Sequence, residues 1–181
     1  MAERISGRCA CGGINYATTA NPDFTLICHC RQCQRISGSG HAAQFAVPVK
    51  ETRVEGAVKF SDQIADSGNT VSSGFCKRCG SPMLTKTTKM PDTYFFHAAT
   101  LDDPSIFVPQ FVVYEEAKPP WDHVDESIAR WLTAGLRESQ IASPLGFFTD
   151  PESTLANGTF RSYFVSQCTS PNVPNKFIAD V

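Results

Sequence analysis

The sequence predicts an all-β fold. Short runs rich in Val, Phe and Thr are separated by Gly, Pro and Asp turns, and a helical apolar period turns up once, late in the chain. A further observation says what holds the strands. Cysteines recur in spaced clusters, Cys9-Ala10-Cys11, Cys28-His29-Cys30-Arg31-Gln32-Cys33 and Cys76-Lys77-Arg78-Cys79.

In chain order, the first pair and the doublet Gly12-Gly13 make a tight turn that feeds a strand through Ile14 and Tyr16. Asn21-Pro22-Asp23 turns the chain into the apolar run Phe24-Thr25-Leu26-Ile27, which delivers Cys28. Residues 34–40, rich in Gly and Ser, read as a loop able to present backbone N–H groups. Residues 41–49 are an expected buried strand closed by Pro48, and 53–60 another. After a turn at Ser67-Gly68-Asn69, the strand 70–75 runs into Cys76-Lys77-Arg78-Cys79-Gly80, which has the shape of a zinc knuckle with Gly80 supplying a positive φ.

Strands are also expected at 83–87, 93–99 and 110–115, with Asp102-Asp103-Pro104 as a turn. Ile128, Trp131 and Leu132 stand at i, i+3 and i+4 behind Asp125 and Glu126, which predicts a short C-terminal helix over 125–132 stopped by Gly135. From about Ser143 the composition turns to Pro, Ser, Thr and Asn, an irregular tail in which 159–165 is the one further strand candidate. Cys168 in that tail has no local partner and reads as an incidental thiol.

At 181 residues, 41% of them hydrophobic, the chain can bury one sizeable core. A formal charge of -2 excludes a generic nucleic-acid binder. No run approaches the roughly 18 apolar residues of a membrane span, and the first residues carry no apolar signal core. The chain is therefore read as cytoplasmic with no membrane partner. In a reducing compartment, 8 cysteines at C-x-C and C-x-x-C spacing point to metal ligation rather than disulfides.

Structural zinc sites close all four tetrahedral positions, whereas catalytic ones keep one for water or substrate. Cys9, Cys11, Cys76 and Cys79 join two distant segments into a complete set of four. Cys28, Cys30 and Cys33 form a local set of three with an open position, which marks them as the catalytic candidates. Arg31 and Arg35 beside them are candidates to hold a substrate carboxylate. His29 lies between two ligands, where alternate side chains of an extended segment diverge, so it is expected to point away from the metal. His41 and His97 read as hydrogen-bonded core histidines.

The clusters and their flanks, Gly7-x-Cys9-x-Cys11-Gly12-x-Ile14-x-Tyr16, Cys28-His29-Cys30-x-x-Cys33 and Phe75-Cys76-x-x-Cys79-Gly80-Ser81-Pro82, make a specific pattern. Lys59-Phe60-Ser61-Asp62, Ser67-Gly68, Leu101-Asp102-Asp103-Pro104 and Pro119-Pro120-Trp121 extend it. The chain resembles the glutathione-dependent formaldehyde-activating enzyme family, also called the CENP-V/GFA domain, over residues 4–133, with 134–181 as a C-terminal extension. Where many members carry a histidine after the late proline, this chain has Gln110.

The resemblance implies an Mss4-like β-tent of antiparallel strands, a structural zinc on Cys9, Cys11, Cys76 and Cys79, and a second zinc on Cys28, Cys30 and Cys33. It implies a carbon-sulfur lyase-type activity that interconverts S-(hydroxymethyl)glutathione with glutathione and formaldehyde, with a small thiol and a small aldehyde as partners. The competing expectation is a non-catalytic zinc-binding interaction module on the same scaffold, since fold alone does not dictate activity. A second thiolate set beyond the closed one is more than such a module needs.

Overall fold

The computed structural model describes residues 5–65 and 68–131. The expected strand at 159–165, Cys168, the helix stop at Gly135 and the extension 134–181 lie outside the described residues, as do Ser67 and Leu132. The elements in order are β1 (Ile5–Arg8), β2 (Asn15–Thr18), β3 (Phe24–Cys28), α1 (Arg31–Ser37), β4 (Ala42–Pro48), β5 (Thr52–Glu55), β6 (Val58–Ile64), β7 (Thr70–Cys76), β8 (Pro82–Thr87), β9 (Met90–His97), β10 (Phe111–Val113) and β11 (Ala129–Trp131). None of the described helices is long and apolar enough to cross a membrane.

The all-β expectation holds, in two sheets. A 3-stranded sheet runs β1-β2-β5 and an 8-stranded sheet runs β11-β10-β3-β4-β9-β8-β7-β6. Pairing is antiparallel except at β10, which lies parallel to both β3 and β11. The expected single strand over 53–60 is two strands in different sheets. Gly56, at φ 96°, makes the break, and a Cβ there would fall 2.2 Å from the Gly13 carbonyl oxygen.

One core joins the sheets through Ile14, Tyr16, Phe45, Val47, Met83, Leu84 and Phe96. Tyr16 stacks on Phe96 with ring centroids 3.9 Å apart, and its hydroxyl donates to Thr100 Oγ1 at 2.9 Å, because the Thr100 hydroxyl already donates to the His97 carbonyl. Gly7 leaves room for that hydroxyl, since a Cβ on it would sit 2.2 Å away. A second core of Phe24, Leu26, Ala46, Phe95, Phe111 and Val113 packs round β3 and carries Cys28 with it.

Two local readings are corrected. The expected helix over 125–132 is a turn followed by β11, whose Ala129, Arg130 and Trp131 pair with Phe111, Val112 and Val113. A helix of two turns is marginal alone. Here the Asp125 carboxylate takes the Ser127 N–H at 2.9 Å, and Arg130 reaches Glu115 and the carbonyls of Val124 and Asp125. These bonds favour the turn and the sheet over the helical period. The loop expected at 34–40 is instead mostly α1, stopped by Gly38 at φ 67°, whose N–H donates to the Gln34 carbonyl at 2.9 Å.

His97, expected as a hydrogen-bonded core histidine, ends β9 with 5% exposure. Burial lowers its pKa from 6.5 to about 4, so it folds in neutral. Between those values the unfolded chain binds the proton more readily than the folded one. Its contribution is therefore complete above pH 6.5 and is lost as the pH falls toward 4. Thermal melts should show stability falling across this window by up to about 3 kcal/mol more in the native protein than in His97→Gln. Parallel curves for the two would remove this account of His97.

Candidate functional site

The four-cysteine set closes as its spacing demands. Cys9 and Cys11 flank the turn between β1 and β2, while Cys76 ends β7 and Cys79 follows in the knuckle. Gly80, at φ 76°, lets that knuckle turn back, with its N–H on the Cys76 carbonyl at 2.8 Å. The sulfurs of Cys9 and Cys11 are 3.5 Å apart and those of Cys11 and Cys76 3.8 Å. A tetrahedral zinc with bonds of about 2.3 Å has sulfur-sulfur edges of about 3.8 Å, whereas a disulfide needs about 2.0 Å. The described cysteines are free, and this set fits zinc.

Ser81 links the two halves. Its hydroxyl accepts the Ala10 N–H at 3.1 Å and donates to Cys79 Sγ at 3.2 Å, while the Ile14 N–H points at Cys9 Sγ from 3.2 Å. Ser81 pulls Cys79 down to about 5. Cys11 is pushed up to about 11, its Gly13 N–H being outweighed by the neighbouring sulfurs, Cys9 first. Sulfurs this close cannot all ionise together without a cation among them.

Cys28, Cys30 and Cys33 also converge, each sulfur within 4.8 Å of the others, and no further Cys, His, Asp or Glu among the described residues joins them. Cys28 is placed by β3, held between β4 and β10. Cys30 is the N-cap of α1, its Sγ accepting the Cys33 N–H at 3.3 Å, so the helix start sets the spacing of these two sulfurs. Hydrogen bonds from Cys28 and then Cys33 pull Cys30 down to about 3. Cys28 is held well above its usual range, by Cys30 first and burial after. This set also fits a soft divalent metal, which would let three thiolates coexist.

Arg31 and Arg35 stand one turn apart on the exposed face of α1, and Arg31 Nη1 donates to Gln34 Oε1. At about 100° per residue, Cys33 lies roughly half a turn round the helix from Arg31. The two arginines form a ridge beginning at the residue after Cys30, not a clamp over Cys33.

Sequence reasoning missed a third cluster. His29 Nε2 lies 3.0 Å and His41 Nδ1 2.7 Å from the same oxygen, Asp122 Oδ2. His29 is fully buried, and its Nδ1 has no hydrogen-bond partner among the described residues. Burial lowers the His29 pKa, outweighing the pull of Asp122. Burial raises Asp122, yet the His41 hydrogen bond and the two imidazoles leave it below the usual carboxylate range. Gln34 Nε2 donates to the His29 carbonyl at 2.6 Å and to that of Ala117 at 2.9 Å, tying the loop to the far side of the site. Asp122, one residue beyond Pro119-Pro120-Trp121, had no sequence signal beyond that motif.

The family described as glutathione-dependent formaldehyde-activating enzyme matches residues 4–117. No curated protein matches the chain. Among solved structures, a Rhodobacter sphaeroides protein determined by structural genomics is 21% identical, with 57% of this chain and 97% of that one covered and a TM-score of 0.45.

The two cysteine sets should respond differently to mutation. Cys76→Ala opens a set that joins distant segments, and apparent binding energies of structural zinc sites rival a domain's whole stability. It should lower the melting temperature by about ten degrees or more, or abolish the cooperative transition. Cys30→Ala should keep a cooperative melt within a few degrees of native. Equal losses in both would mean that the sets do the same job.

Proposed function

Because the chain belongs to the glutathione-dependent formaldehyde-activating enzyme family, we propose that it is a carbon-sulfur lyase-type enzyme. It interconverts S-(hydroxymethyl)glutathione with glutathione and formaldehyde, or handles a related thiol-aldehyde adduct. The observation that carries this reading is the convergence of Cys28, Cys30 and Cys33 without a fourth ligand among the described residues. The reading assigns two zinc ions per chain, one on Cys9, Cys11, Cys76 and Cys79 and one on Cys28, Cys30 and Cys33.

Zinc held by Cys28, Cys30 and Cys33 as thiolates would carry a net negative formal charge. A thiol bound there as thiolate would be a stronger nucleophile, while the ion would polarise an aldehyde oxygen less than one held by neutral imidazoles. In the addition direction the thiol S–H bond breaks, a C–S bond forms to the aldehyde carbon, and the proton ends on the former carbonyl oxygen. Nothing is oxidised or reduced. The protein's own residues supply placement. β3 and the first turn of α1 fix the three sulfurs, and the apolar cluster behind Cys28, Cys30 and Cys33 keeps water from that side. The ridge of Arg31 and Arg35 offers charge to the carboxylates of a glutathione-like thiol.

Metal analysis of protein purified without added zinc should find about two zinc ions per chain. Saturation-transfer NMR should then detect exchange between glutathione and its formaldehyde adduct above the spontaneous rate, abolished in Cys30→Ser. Arg31→Ala should raise the glutathione concentration needed for half-maximal exchange about fivefold. Exchange no faster than the uncatalysed reaction, with zinc bound, would leave the domain a zinc-binding module without turnover.

A further inference from the structure

The His29, His41 and Asp122 cluster serves no step of the proposed reaction, yet two of its members, His29 and Asp122, are buried polar residues of the fold. Two imidazoles and a carboxylate are a familiar metal-ligand set, but the geometry here fits hydrogen bonding better. A carboxylate can only accept, so the two nitrogens 3.0 and 2.7 Å from Asp122 Oδ2 each carry a proton. A metal in their place would force the proton of His29 onto Nδ1. That atom is buried and faces no acceptor among the described residues. Histidines that bind metal nearly always donate from the other nitrogen.

What the cluster does follows from where its members come from. His29 is the residue between Cys28 and Cys30, His41 immediately precedes β4, and Asp122 arrives from the far end of the domain. The His29 N–H is held by the Val113 carbonyl at 3.0 Å and its carbonyl by Gln34. The ring is thus the remaining handle on that residue. The site has been shaped to let Asp122 reach it. A Cβ on Gly40 would lie 2.4 Å from Asp122 Cγ and 2.5 Å from Oδ2, so only glycine permits the approach.

We propose that Asp122 is the positioning residue of the three-thiol loop. By holding His29 and His41 on one carboxylate oxygen, it fixes the backbone between Cys28 and Cys30 and with it the directions of the three sulfurs. This rests on reading Cys28, Cys30 and Cys33 as a metal centre.

The test uses full-length protein loaded with cobalt, whose visible bands report thiolate number and geometry at each centre. Bands lost in Cys30→Ser belong to the three-thiol set. Their absence from the native protein would sink the metal-centre reading itself, and the positioning role with it, before any Asp122 variant is made. With those bands present, Asp122→Ala should shift them and speed loss of that ion to a chelator roughly tenfold to a hundredfold. The bands and release rate of the Cys9, Cys11, Cys76 and Cys79 ion should stay unchanged. Asp122→Asn, which keeps the shape and one acceptor, should fall between. Gly40→Ala, which touches no sulfur and displaces the carboxylate by bulk, should reproduce the Asp122→Ala spectrum. Three-thiol bands that stay native in folded Asp122→Asn and Gly40→Ala would overturn the proposal. So would equal metal loss from both centres, or a third cobalt ion in the native protein that Asp122→Ala alone removes.

Discussion

The closure of Cys9 and Cys11 onto Cys76 and Cys79 is the constraint on which the two-sheet arrangement depends. The small sheet is built of four-residue strands, too short to stand by themselves in water. It meets the large sheet through four sulfurs, through Ser81 spanning from Ala10 to Cys79, and through the shared core in which Ile14 packs and Tyr16 lies on Phe96. Only the last of these is ordinary hydrophobic packing. The others are polar bonds and sulfurs crowded to van der Waals distance, an arrangement that like charges alone would push apart. A cation shared among those sulfurs would turn the repulsion into a tie between the sheets.

The second cysteine set is built on the opposite plan. It grows from the centre of the large sheet, where β3 is buried along its whole length, and its remaining sulfurs come from the next few residues. Nothing distant is needed to bring these sulfurs together. Distant groups instead hold the intervening backbone, through Val113 and Asp122, with Gln34 of the adjoining helix bracing it from nearby. The division between a set that ties the fold and a set that the fold supports is thus visible in backbone connectivity.

The cysteine sets and most strands were legible because their signals are local: ligand spacing, alternation and turn residues all act within a few positions. Elements fixed by partners far along the chain were not. The helical period at Ile128, Trp131 and Leu132 gave no hint that Phe111 to Val113 would offer Ala129 to Trp131 a strand edge. The helix after Cys30 was hidden by its own composition, since Ser37, Gly38, Ser39 and Gly40 suggest a loop while Gly38 in fact only stops the helix. Asp122 meets His29 and His41 across 93 and 81 residues of sequence, a distance over which spacing carries no information. Gly40 looked like a flexibility residue, whereas its use is empty volume beside a carboxylate.

The parallel partnership of β3 with β10 has a consequence for how the protein is made. Thr25 and Gln110, bonded across that pair, are 85 residues apart, so at roughly 5–20 residues per second the ribosome needs about 4–17 s to supply the partner. During that interval β4 can cover one side of β3, while the other side presents bare amides and carbonyls beside Phe24 and Leu26. A nascent strand in that condition can pair with a neighbouring chain. The prompt arrival and docking of the late segment is thus a kinetic demand separate from the stability of the finished fold.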